Sequence, residues 1–154
     1  MNRRFRTKAL ASTRISKRKL VSFQMGSEQY AIAIDRVQRV LKTFTPHAAL
    51  TNGRRLMEYE QEAIALIDLS ALFLKCDDTD YHYLIVCTLK QKEKLGIPVS
   101  EMPKILEVSE DKFDKIPAFY QHEALPAAIE KIIHAPDGNL VFYLNLDRLE
   151  LCTQ

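Results

Sequence analysis

From Leu20 onward the chain alternates apolar and polar residues in short runs broken by turn-forming residues, a period-two pattern that predicts strands rather than long helices. Strands are expected over 20–25, 30–34, 37–44, 56–59, 63–67, 83–89, 94–99, 104–108, 127–134 and 140–144. Ten short strands with tight connections point to an all-β fold of barrels or a sandwich. The turns have physical causes. Pro136-Asp137-Gly138-Asn139 sets proline where φ is already restricted and glycine where φ can be positive, between two apolar runs. Gly26-Ser27-Glu28 closes a first hairpin, and Gln91-Lys92-Glu93 closes another. Short helices are expected to start at Asp68 and Asn145, each an N-cap residue between an apolar strand and a leucine-spaced segment.

Two pairs of segments superpose in the same order. AIALIDLSALFL (63–74) matches LVFYLNLDRLEL (140–151) at a shift of 77, with Asp68 on Asn145. AIAIDRVQRVL (31–41) matches GIPVSEMPKIL (96–106) at a shift of 65, with Val37 on Met102 and Val40 on Ile105. This is the signature of an internal duplication. It predicts two five-stranded lobes over 20–74 and 83–151, joined by the acidic linker Asp77-Asp78-Thr79-Asp80.

Charge divides the chain differently. Residues 1–19 carry eight basic side chains and no acid, which leaves 14 basic against 20 acidic for the remainder. Residues 1–18 are read as a disordered basic leader, although the same composition also suits an organellar transit peptide. No run approaches the roughly 18 apolar residues of a membrane span, so a cytoplasmic protein is expected. Three cysteines, Cys76, Cys87 and Cys152, form no CxxC pair and suit a reducing compartment. Four scattered glycines leave no phosphate-cradling loop.

Catalytic groupings are sparse. His47, His82, His122 and His134 have no second ligand three or four residues away, so no metal or other cofactor is expected. Cys87 lies within an apolar run and is read as a buried small hydrophobe. Asp77-Asp78-Thr79-Asp80 lacks the glycine and terminal glutamate of a calcium loop. Glu58, Glu60 and Glu62 stand at period two, which on one extended strand puts three carboxylates on one face, solvent-facing or partner-facing. The basic start could neutralise phosphates, but Phe5 is its only aromatic for base stacking, and an acidic body repels polyanions.

Several segments together resemble the CheW-like domain of bacterial chemosensory arrays over about 19–151. They are LVSFQMGSEQYAIAIDRVQRVL, ALIDLSALF, HYLIVCTLKQKEKLGIPVSEMPKIL and NLVFYLNLDRLEL. The resemblance implies two SH3-like five-stranded barrels side by side. It also implies a non-enzymatic adaptor that couples a chemoreceptor's cytoplasmic tip to the regulatory domain of a histidine kinase. It places partner-binding positions at Val37 and Val40, beside an apolar groove, and at Gly96. The family's Asn-Leu-Arg-Gly-x-x-x-Pro-x-x-Asp-Leu reads EYEQEAIALIDL here (58–69), with Glu58, Glu60, Gln61 and Ala65 in place of asparagine, arginine, glycine and proline. Glu60 reverses the charge presented to a partner, so Glu58 and Glu60 join the partner-binding positions. Loss of the glycine is expected to loosen the hairpin tip. Two rival readings differ in class: a module recruited to anionic membrane or nucleic acid by residues 1–19, and an enzyme with a pocket between the lobes.

Overall fold

A computed structural model describes residues 16–42, 48–49, 54–69, 81–90, 92–117 and 128–149. The first half of the chain contributes β1 (Lys17–Met25), β2 (Glu28–Ala33), β3 (Val37–Leu41), β4 (Ala48–Ala49), β5 (Arg54–Tyr59) and β6 (Glu62–Ile67). The second contributes β7 (Tyr83–Thr88), β8 (Lys94–Val99), β9 (Lys104–Ser109), β10 (Phe113–Asp114), β11 (Ile129–His134) and β12 (Leu140–Leu144). Ten of these coincide with the predicted strands. The other two, β4 and β10, are two-residue edge strands too short to leave a periodic signal.

The strands form two mixed sheets, ordered β10-β11-β12-β2-β1-β9 and β4-β5-β6-β8-β7-β3. Position by position the two orders correspond, down to a parallel pair in each: β12 with β2, and β6 with β8. This is the mainly-β, twin-barrel architecture expected, but the lobes are not the contiguous halves 20–74 and 83–151. The first sheet takes β1 and β2 from the first half and β9 to β12 from the second, while the second sheet is built from β3 to β8. Each repeat has lent its leading hairpin to the other. The duplication is real along the chain, yet its two copies are exchanged in space, because the parallel pairings Val141↔Gln29 and Ala65↔Leu95 join strands from different halves.

Each sheet has its own apolar interior. Leu20, Ala31, Val108, Ile133 and Val141 fill the first, and Met57, Tyr59, Ile64, Leu66, Leu84 and Val86 fill the second. A third, shared core lies between the sheets and draws Val21, Phe23 and Ile32 from one side and Ile85, Cys87 and Ile97 from the other. Strands with both faces covered should read as continuous apolar runs, and Leu84 to Cys87 is one. Each fully buried aliphatic side chain here stabilises the fold by about 1.5–3 kcal/mol.

Two residues counted with the basic leader belong to a strand instead. Lys17 and Arg18 open β1, paired with Ser109 and Val108. The Arg18 guanidinium lies 4.7 Å from the Phe113 ring centroid and 5.1 Å from that of Tyr143, and donates to the Tyr143 hydroxyl at 2.7 Å. A long cationic side chain can thus belong to a strand while its stem covers apolar surface. Residues 1–15, the acidic linker and most of the helix expected after Asp68 lie outside the described residues. After Asn145 the chain makes a 3-10 turn, Leu146–Arg148, and the Asn145 side chain accepts from the Asp147 amide at 3.0 Å.

Of the expected turns, Gly26 and Gly138 both take positive φ, at 62° and 90°. The β5–β6 hairpin corrects two expectations at once. Tyr59 pairs with Glu62, so Glu60 and Gln61 are the whole turn and the three glutamates do not share one strand. The tip stays tight without its glycine, since Glu60 and Gln61 hold φ of 50° and 68°. Both central residues of such a turn need positive φ, a conformation costing about 1–2 kcal/mol for ordinary L-residues. Gln61→Gly is therefore expected to raise stability by about 0.5–1 kcal/mol, after allowing for glycine's greater unfolded-state freedom. A urea midpoint that falls would show the turn to be unstrained.

Candidate protein-docking surface

The chain crosses from the first sheet to the second through a 3-10 turn, Ile34–Arg36, and returns through residues 100–103. Each crossover feeds an edge strand, β3 and β9 respectively. Val37 and Val40 on β3 pair with Cys87 and Ile85, and are half-buried against the shared core. Their counterparts in the second repeat differ. Ile105 pairs with Val21, so it faces the same side as the shared core, but it lies on the outermost strand and is 68% exposed. Met102, in the crossover, is 45% exposed. The repeat alignment already set these residues opposite Val40 and Val37, so a signal for them existed in the sequence. Equal hydrophobicity hid unequal cover.

Leu56 adds to the apolar surface. Pairing runs from Val37 through Cys87, Leu95 and Ala65 to Leu56, a row across the second sheet on the face of the shared core. At the far end of that row Leu56 is 37% exposed. Gly96 plays no part in such a surface. It is buried on β8, where an added Cβ would lie 2.5 Å from Leu66 Cδ2 and 3.0 Å from Leu84 Cδ1. Its role is close packing inside the second sheet, which corrects its assignment as a partner-facing position.

The acidic hairpin tip is partly engaged within the fold. Lys94 Nζ lies 3.2 Å from Glu62 Oε1 and 3.8 Å from Glu60 Oε2, and 5.6 Å from the Tyr59 ring centroid. The hydrogen bond to Glu62 leads the effects that hold the Lys94 ammonium above its ordinary range. Glu58, on the β5 side of the turn, is exposed. One ammonium thus faces two carboxylates, so the tip presents net negative charge where the family pattern has an arginine.

Arg36 centres a polar cluster that links three elements. Its Nη2 lies 2.7 Å from Asp147 Oδ2 and its Nη1 3.3 Å from Oδ1, while Nη1 also donates to the Thr88 carbonyl at 3.1 Å. The Lys90 amide donates to Asp147 Oδ1 at 3.0 Å. The bond from Arg36 is the first cause holding the Asp147 carboxyl below its usual range.

No reactive centre emerges from the described residues. Burial pushes the Cys87 thiol up to about 12, far from a nucleophile's range. His134 contacts Asp114 at 3.3 Å on the exposed edge between β10 and β11, and His82 is exposed before β7. His47 and His122 lie outside the described residues. Among the described residues no three of His, Cys, Asp or Glu converge on a metal position, and no helix is long and apolar enough to cross a membrane.

Residues 19–151 match the CheW-like domain. Among solved structures, the chain is similar to the scaffolding protein TtCheW from Thermoanaerobacter tengcongensis, at 19% identity and a TM-score of 0.69, over 85% of this chain and 86% of that one. No match is found among curated proteins.

Proposed function

The chain belongs to the CheW-like domain family, and from that premise we propose that it is a non-enzymatic, cytoplasmic adaptor of chemotaxis-type signalling. It couples a chemoreceptor's cytoplasmic tip to the regulatory domain of a histidine kinase through its surfaces alone. One observation carries the reading: Met102 and Ile105 stand exposed at the margin of a face otherwise buried between the sheets. An apolar centre bordered by polar residues is the composition of a reversible protein interface, and here Glu101, Lys104 and Glu107 supply the rim. The apolar stripe of a receptor-tip helix suits such a margin. Val37 and Val40 continue the apolar character on the other edge strand. Glu58 and Glu60 make a second, acidic contact that selects a basic partner surface, the reverse of the family's arginine.

The test is a titration of the full-length protein with the native receptor's cytoplasmic fragment. The double variant Met102→Glu, Ile105→Glu is expected to weaken binding tenfold or more, about 1.4 kcal/mol, with an unchanged urea midpoint because both side chains are already exposed. Undiminished affinity would rule out this margin as the receptor contact.

A further inference from the structure

The cationic run that opens the chain takes no part in the docking surface, and its last members belong to the fold. Lys17, Arg18 and Lys19 begin β1, where strand alternation sends neighbours to opposite faces. Arg18 turns onto Phe113 and Tyr143, whose rings and hydroxyl engage its charge. Lys17 and Lys19 stay exposed on the other face, opposite Ser109 and Glu107 of β9. The backbone enters the sheet at Ser16, whose carbonyl accepts from the Glu110 amide at 2.8 Å. Residues 1–15 are therefore joined to the fold beside the end of β9 and the turn Glu110–Lys112.

Charge around this junction is balanced. Lys17, Lys19 and Lys112 are exposed there, and so are Glu107, Glu110 and Asp111. The leader itself is not balanced: Arg3, Arg4, Arg6, Lys8 and Arg14 stand in a run with no acid. The junction also differs from the β5–β6 tip, where the glutamates outnumber Lys94. An extended anionic surface is thus attracted by the leader, tolerated at its root and repelled by the hairpin tip. The apolar residues among the cations decide which anion it is. Phe5, Leu10 and Ile15 punctuate the run. Aliphatic side chains gain by entering the boundary between lipid headgroups and acyl chains, whereas single-stranded nucleic acid favours aromatic stacking, for which the leader offers Phe5 alone. We propose that the leader, with Lys17 and Lys19 at its root, binds an anionic lipid membrane and sets the start of β1 against it. Each cation close to such a surface strengthens binding roughly fivefold. The inference stands apart from the docking reading, because lipid is the partner measured.

Sedimentation of the full chain with vesicles tests it. Phosphatidylcholine containing about one third phosphatidylglycerol is expected to bind the chain at least roughly tenfold more tightly than phosphatidylcholine alone. Raising salt from about 0.1 to about 0.5 M shortens the screening length and should remove most of that difference. Replacing three leader cations together, Arg3→Gln, Arg4→Gln and Arg6→Gln, is expected to weaken binding by roughly tenfold or more. Lys17→Gln with Lys19→Gln turns the junction from neutral to net negative and should weaken it by roughly fivefold or more. The urea midpoint should hold in both variants, since the two lysines are exposed and neither makes an ion pair among the described residues. Equal binding to neutral and anionic vesicles overturns the proposal, as does binding indifferent to the two lysine substitutions. Duplex DNA held more tightly than the anionic vesicles at the same salt also overturns it, and makes the leader a nucleic-acid arm instead.

Discussion

Gly96→Ala is expected to lower stability by about 1–3 kcal/mol, the usual cost of overpacking a filled interior. The new methyl would enter space 2.5 Å from Leu66 Cδ2 and 3.0 Å from Leu84 Cδ1. Neither leucine can swing into solvent, since both are fully buried. The backbone pairing Leu66↔Gly96 and Val86↔Gly96 restrains β8 from both sides. For a chain of this size each kcal/mol moves the melting midpoint by roughly 2–4 °C, so calorimetry should show a fall of about 2–12 °C. A partner-facing glycine would behave in the opposite way, with unchanged melting and weakened binding. Melting within a degree of the parent would show that β8 adjusts without cost and would reopen a surface role for Gly96.

Asp147→Asn should cost about 1.5–3 kcal/mol, because it removes the charge that the Arg36 fork requires and leaves a cation three-quarters buried without its counter-ion. The same group predicts a pH dependence. Its folded-state pKa is depressed, so the stability it contributes is full above its unfolded value, about pH 4, and is lost as pH falls through the lower folded value. Urea unfolding between neutrality and pH 2 should therefore show an acid limb that Asp147→Asn flattens. Asp114 is depressed as well, by its hydrogen bond with His134, but both side chains are more than half exposed and screening leaves them little weight. Identical acid limbs in the parent and in Asp147→Asn would mean that the cluster does not hold the sheets together in solution.

The strands were legible because each one is a local statement. Alternation over five or six residues, ended by Gly26-Ser27 or by Pro136-Asp137-Gly138, needs no knowledge of what lies across the fold. The tightness of the β5–β6 turn escaped because neither Glu60 nor Gln61 is a residue type that favours positive φ. Three glutamates at period two look the same on one strand as around a tight tip. The exchange of hairpins escaped for a different reason. A duplicated pattern satisfies either arrangement, each copy closing on itself or each completing the other, and only the long-range pairs Val141↔Gln29 and Ala65↔Leu95 decide between them.

The docking surface divides along the same line. Repeat alignment alone set Met102 and Ile105 level with Val37 and Val40 as apolar residues beside a crossover. Which pair stands open depends on how far each edge strand is covered, a property of the assembled sheets. Gly96 entered from the sequence only through the resemblance, as a partner-binding position, while the two leucine side chains that close on it from β6 and β7 belong to packing.

The amino-acid order by itself determined the all-β class, ten strand positions, the duplication and the family, since those rest on periodicity, turn chemistry and motif spacing within a few residues. Tertiary structure decided which strands share a sheet, which apolar residues face solvent and where Arg36 finds Asp147. Those outcomes depend on contacts between segments 30 to more than 100 residues apart, and the same local pattern is compatible with more than one way of closing them.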